Sequence, residues 1–242
     1  MTGDSRPMRF TIRRYHPESG RGPYWQDFEV TVHPGMTVLE ALHQIREGQD
    51  PTLVWRSSCR MGVCGSCGMV MNGVPRLACN TQVLDVSRSE LRLEALWNLD
   101  IIRDLVADSS AVFAKHRSVK PYLMRDDEAE ADDVREELRQ TPEQLTEYLQ
   151  FSYCMKCGLC MAACPTLATH SGYLGPMPLA AAQRYSADSR DQGFAQRRDT
   201  VEGDGGVFHC HYAGECSRVC PRGVDPARAL QLLKRRLVFG PG

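Results

Sequence analysis

The sequence lacks any stretch suited to a bilayer. Its longest run free of Asp, Glu, Lys and Arg, Cys157 to Gln183, is long enough on length alone, but Pro165, Pro176, Pro178 and interspersed glycines argue against a lipid-exposed helix. It also lacks an excess of one charge. Its 29 basic residues meet 30 acidic ones for a net charge of −1, without the basic concentration that phosphate binding needs, so nucleic acid is not an expected partner. Aromatics are sparse, with Trp25, Trp55 and Trp97 the three tryptophans, all in the first half. The polar opening Met1–Pro7 has no apolar core, so no secretory leader is expected, nor a mitochondrial one, since strand-like sequence begins near Met8. What is abundant is cysteine. Eleven is an odd number in a long chain, which speaks against a secreted disulfide scaffold and for thiols held by metal in a reducing compartment.

Over residues 8–100 the pattern is strand-rich. Phe10 and Ile12 alternate with polar neighbours, as do Phe28, Val30 and Val32 beyond a Pro/Gly-rich turn at 17–23. Thr37 and Glu40 form a capping box for a helix that presents Val38, Leu39, Leu42 and Ile45 and stops at Gly48. Asn72-Gly73 marks a type I′ hairpin, and Leu91 and Leu93 one more strand. From about residue 100 the pattern reads as helical, with Ile101, Ile102, Leu105 and Val106 on one face, continued by Val112 and Phe113. The acidic stretch Asp126–Asp133 reads as a solvated linker. Thr141-Pro142 and Asp225-Pro226 each open a helix, the last one burying Leu230, Leu233 and Leu237 with Lys234, Arg235 and Arg236 toward its C-terminal end. Two domains are expected, 1–106 and 107–242.

The cysteines fall into three groups. Cys59, Cys64, Cys67 and the later Cys79 follow the C-x4-C-x2-C…C order of plant-type [2Fe–2S] ferredoxins, with Gly62, Gly65 and Gly68 letting amides approach the sulfurs of an anionic cluster. A zinc knot is the alternative, but it favours paired C-x2-C hooks. Cys154, Cys157, Cys160 and Cys164-Pro165 form the bacterial ferredoxin run C-x2-C-x2-C-x3-C-P, whose fourth cysteine serves a second cluster in two-cluster proteins. A second run exists at Cys210, Cys216 and Cys220-Pro221. Cross-assignment gives Cys154, Cys157, Cys160 and Cys220 to a [4Fe–4S] cluster, and Cys164, Cys210 and Cys216 to the other. In the second run the position matching Cys157 is Ala213. Three thiolates favour a [3Fe–4S] centre, a [4Fe–4S] cluster with water or another ligand on its last iron being the alternative. No nucleophile–base pair or GxGxxG loop accompanies these groups, so a redox relay is expected rather than bond chemistry.

The motifs, together with Ile102–Leu105, Arg117–Leu123, Ala187–Asp191 and Cys220–Gly223, resemble the iron–sulfur subunit of succinate dehydrogenase and fumarate reductase over nearly the whole chain. The resemblance implies an α+β architecture, a plant-type ferredoxin β-grasp domain followed by an all-α bacterial-ferredoxin-like domain. It implies partners too: a flavoprotein subunit holding FAD, and a membrane anchor where quinone is bound. Electrons would pass singly from FAD through [2Fe–2S], [4Fe–4S] and [3Fe–4S] to quinone, or the reverse for fumarate reduction, on the cytoplasmic face of a bacterial plasma membrane. Pro165, His211 and Lys234 match quinone-side positions, although for His211 an exposed side chain beside a cluster is an equal reading. Relatives with a defined quinone pocket carry tryptophan soon after the Cys-Pro, where this chain reads Cys164-Pro-Thr-Leu-Ala-Thr169. Met61 stands where relatives usually carry an acid. Arg60, Lys156, Arg218 and Arg222 fit either compensation of cluster charge or contact with partners. The competing assignments are an iron–sulfur subunit of another flavin dehydrogenase and a zinc-stabilised binding module.

Overall fold

The computed structural model describes residues 5–126 and 137–240. The chain divides into two compact units. The first comprises residues 1–109 with the segment 155–163, and the second 110–154 with 164–242.

The first unit is built on β1 (Arg6–Arg14), β2 (Tyr24–Val32), β3 (Gly68–Met71), β4 (Val74–Leu77) and β5 (Glu90–Glu94), ordered β2-β1-β5-β3-β4 in one sheet. β1 runs antiparallel to β2 and parallel to β5, and β3 is antiparallel to both β4 and β5. Alternation puts Phe10, Ile12, Val30, Met71, Leu91 and Leu93 into the core. There they meet α1 (Val38–Gly48), whose Val38, Leu39, Leu42 and Ile45 are buried. The capping box forms: Thr37 Oγ1 accepts from the Glu40 amide (3.2 Å), and the Glu40 carboxylate accepts from the Thr37 amide (2.7 Å). Asn72 (φ 45°) and Gly73 (φ 80°) take the two left-handed positions that a type I′ hairpin demands. A short α2 (Val83–Val86) precedes β5.

The helical face expected over Ile101, Ile102, Leu105 and Val106 is not there. The segment is instead a small hairpin of β6 (Ile101–Arg103) and β7 (Val106–Ala107). Asp104 turns it, at φ 45°. The Asp104 carboxylate accepts from Arg14 Nε (3.0 Å) and from the amides of Tyr15 (3.1 Å) and Val54 (3.0 Å). That buried hub of charge and hydrogen bonds, together with the β-branched Ile101, Ile102 and Val106, outweighs the helical spacing. Ile102 is accordingly exposed (46%), and so is Phe113 (40%), so neither is a core residue.

The second unit contains α3 (Ser110–Ser118) and α4 (Pro142–Ser152); the segment 155–163 of the first unit carries α5 (Leu159–Ala162). There follow α6 (Pro165–Thr169), α7 (Pro176–Ser186), α8 (Phe194–Glu202), α9 (Glu215–Arg218) and α10 (Pro226–Phe239). Among its described residues no strand occurs. α7 is the centre of this unit, packing against α3, α4, α8 and α10. Leu230, Leu233 and Leu237 of α10 are buried, and Asp225 caps that helix by accepting from the Arg228 amide at 2.9 Å. Two of the sequence segments behind the family resemblance meet at Arg197. This fully buried guanidinium forks onto Asp191 (2.5 and 2.9 Å) and donates to the carbonyls of Lys120 (3.0 Å) and Tyr122 (2.6 Å), clamping Arg117–Leu123 to Ala187–Asp191. The acidic stretch, from Asp127 on, lies outside the described residues.

Candidate metal centres

The loop from Cys59 to Cys67 is wrapped so that backbone amides converge on sulfur. The amides of Met61 (3.5 Å), Val63 (3.3 Å) and Cys64 (3.3 Å) donate to Cys59 Sγ, that of Cys59 to Cys64 Sγ (3.4 Å) and that of Gly62 to Cys79 Sγ (3.3 Å). The Cys79 amide donates to Cys67 Sγ at 3.4 Å. All four expected cysteines are thus linked in one nest of N–H donors, which suits thiolates carrying an anionic cluster. Arg60, Gly62 and Gly65 all have positive φ, the curvature that turns the amides inward. Hydrogen bonds from Ser66 and from the Cys59 backbone bring the Cys64 thiol down to about 6, whereas burial pushes Cys67 up to about 11. A buried thiolate at Cys67 would require a compensating cation, and cluster iron would supply it. Met61, on the rim, is 72% exposed.

The two ferredoxin runs repeat one backbone shape. In the first, Lys156 (φ 58°) precedes Cys157, and Gly158 (φ 80°, ψ −5°) starts α5. In the second, Tyr212 (φ 58°) precedes Ala213, and Gly214 (φ 77°, ψ −10°) starts α9. Each short helix ends two residues before a Cys-Pro, Cys164-Pro165 and Cys220-Pro221. Ala213 therefore stands between residues whose backbone angles match those flanking Cys157, with a methyl group in place of the thiol-bearing side chain. Cys157 and Cys160 fold with the first unit, Cys154 and Cys220 with the second.

Cys164, Cys210 and Cys216 line one hollow in the second unit, shared with Ala213, Tyr173 and Leu230. Burial raises the Cys216 thiol to about 11 and raises Cys164 as well, the latter opposed by the amides of Leu167 and Thr166 at the start of α6. Pro165 and His211 line the same hollow. Lys234, on α10, donates from Nζ to the Cys210 carbonyl at 2.9 Å, so it braces the loop. Tyr173, which motif reading passed over, is buried in the wall, and burial holds its hydroxyl protonated by raising its pKa far above the usual range. Its only sequence signal is an aromatic between two glycines. Arg60, Lys156, Arg218 and Arg222 are exposed, and Arg218 is drawn to Glu215 (Nε to Oε2, 2.9 Å).

A β-grasp sheet with a four-cysteine nest, followed along the chain by helices that carry two repeated ferredoxin loops, defines an iron–sulfur protein. Residues 9–114 match the 2Fe-2S iron-sulfur cluster binding domain family, and residues 150–224 the 4Fe-4S dicluster domain family. The chain is 47% identical to the fumarate reductase iron-sulfur subunit of Mycobacterium tuberculosis, over 92% of this chain and 90% of the relative. Identity to the corresponding subunit of Haemophilus influenzae is 42%, again over 92% and 90%. Identity to the succinate dehydrogenase iron-sulfur subunit of Coxiella burnetii is 36%, over 96% and 97%. In fold it is similar to a chain of the Mycobacterium smegmatis Sdh1 complex in the apo form, with a TM-score of 0.86, 24% identity and coverage of 97% and 96%. The chain belongs to the family of succinate dehydrogenase and fumarate reductase iron–sulfur subunits.

Proposed function

We propose that this chain is the electron-transfer subunit of a membrane-bound succinate:quinone oxidoreductase. The observation that carries the reading is that identity of up to 47% runs through both cysteine-bearing domains at once, over 92% of the chain. Iron–sulfur clusters, when bound, supply one-electron carriers between an FAD-containing flavoprotein and quinone at a membrane anchor. Cys59, Cys64, Cys67 and Cys79 would hold [2Fe–2S]; Cys154, Cys157, Cys160 and Cys220 would hold [4Fe–4S]; Cys164, Cys210 and Cys216 would hold [3Fe–4S]. The alanine at 213 supports the last assignment. The residues of this chain set spacing, burial and hydrogen bonding at each thiolate. No described helix is long and apolar enough to cross a membrane, so association with the cytoplasmic face would run through the anchor. Pro165, His211 and Lys234 are the candidates for the quinone side, supported by their grouping around the loop of Cys210.

A second reading, net fumarate reduction, is favoured by the higher identity to the fumarate reductase subunits than to the succinate dehydrogenase subunit. The deciding experiment is low-temperature EPR on the complex co-purified with this chain, air-oxidised and then reduced with succinate. A three-iron signal that gives way to a [2Fe–2S] signal on adding succinate supports the first reading. Clusters reduced only by a strong chemical reductant point to fumarate reduction or another flavin partner. Absence of any iron signal would sink both.

A further inference from the structure

We propose that His170, Asp204 and His209 form a binding site for a divalent first-row cation of the zinc type, distinct from the cysteine sets. The ligand atoms of these three side chains lie within 4.8 Å of one another. The two imidazoles stack with centroids 4.8 Å apart at 21°, and His209 Nε2 is 3.7 Å from Asp204 Oδ1. His170 Nε2 is out of solvent and has no hydrogen-bond partner among the described residues. A buried imidazole nitrogen without a partner is costly, and a metal ion would satisfy it.

The backbone around the three is fixed. His170 closes α6, its amide donating to the Thr166 carbonyl at 2.8 Å. Lys115 Nζ donates to the carbonyls of Ser171 (2.6 Å) and Tyr173 (2.7 Å), and the Leu174 amide donates to Gly205 O (2.8 Å), tying the His170 loop to the Asp204 loop. Gly205, at φ 79°, lies so close that a Cβ there would be 2.3 Å from Gly172 O; the approach of the two loops depends on glycine. His209 is held through its amide to Gly206 O at 3.2 Å. Two loops tied in this way bring the imidazoles together before any ligand binds, which reduces the ordering cost of binding.

Two imidazoles and one carboxylate, completed by water as a fourth ligand, would suit zinc or a neighbouring divalent ion. Ligand atoms around tetrahedral zinc stand about 3.3 Å apart. Binding would draw the three ligand atoms closer together, and Asp204, whose side chain is 98% exposed, is not held by packing. The site does not depend on the electron-transfer reading, because its occupancy is scored without succinate.

The test is zinc titration of the purified, cluster-loaded complex, followed by zinc-edge X-ray absorption, with Asp204→Asn and His170→Asn variants beside it. The expected result is one added equivalent of zinc at unchanged iron content, with nitrogen and oxygen ligands at about 2.0–2.1 Å. Affinity should fall about tenfold or more in each variant. A sulfur shell at about 2.3 Å would mean zinc occupying a cysteine set and would overturn the proposal. So would the lack of a bound equivalent, or unchanged affinity in Asp204→Asn, a surface substitution that leaves the fold intact.

Discussion

Gly65 and Cys157 approach so closely that a methyl group cannot fit between them. A Cβ on Gly65 would lie 2.5 Å from Cys157 Cβ and 2.9 Å from its Cα, and Gly65 itself sits at φ 78°. The four-cysteine nest thus rests directly on a cysteine of the first ferredoxin run. Both belong to one compact unit although ninety-odd residues separate them in sequence.

Gly65→Ala should therefore cost more than its backbone conformation alone, which is about 1–2 kcal/mol for a left-handed residue. Gly20→Ala is the matched control, with φ 65° and open space around its Cβ. The expected outcome is a larger drop in melting temperature for Gly65→Ala, with partial iron loss, while Gly20→Ala keeps full iron. Equal effects would show that the contact yields without consequence.

Ala213→Cys should convert the three-iron centre to four irons. The residues flanking position 213 already match those of the first run, so the new sulfur should need little backbone rearrangement. Low-temperature EPR of the oxidised complex should lose the three-iron signal, and its persistence would contradict the assignment.

Arg14 is fully buried, bonded to Asp104 (3.0 Å) and Asp50 (2.6 Å). Arg14→Met leaves the buried Asp104 carboxylate without its counter-charge, and about 3–5 kcal/mol of stability should go with it. Adding Asp104→Asn in the same chain should restore part of the loss, read as a shift in unfolding midpoint. No recovery would mean that Arg14 acts through packing and not through charge.

Asp50 carries an acid dependence. Burial pushes its carboxyl up, but hydrogen bonds from Thr52 and Arg14 prevail and hold it at about 2. A depressed carboxylate stabilises the fold above its unfolded pKa of about 3.9, and this contribution disappears as pH falls toward 2. The span is at most about 2.6 kcal/mol. Asp50→Asn should flatten the fall in stability between about pH 5 and pH 2, measured by denaturant unfolding at stepped pH, and a slope identical to that of the parent chain would count against it.

How much was legible in sequence can be judged residue by residue. Strand alternation around Phe10 and Phe28, the Thr37 capping box and the Asn72-Gly73 turn are local devices, and local devices show in local spacing. The cysteine runs are equally local, because each cluster loop is a short backbone shape with its glycines in place. Ile101–Val106 was not legible: its apolar spacing is helical, yet the turn is held by Arg14, ninety positions away from Asp104. The Arg197 clamp and the meeting of His170 with His209 are of the same kind, since each depends on side chains that only folding brings together.

By itself the sequence determined which cysteines could share a cluster, and that one run is a thiolate short, because spacing and residue type set the ligands a loop can offer. Tertiary structure alone decided that Gly65 abuts Cys157, that Asp104 bends a hairpin around a buried arginine, and that two histidines stack beside an aspartate. Contacts of that sort arise from packing between distant segments, and no periodicity along the chain encodes them.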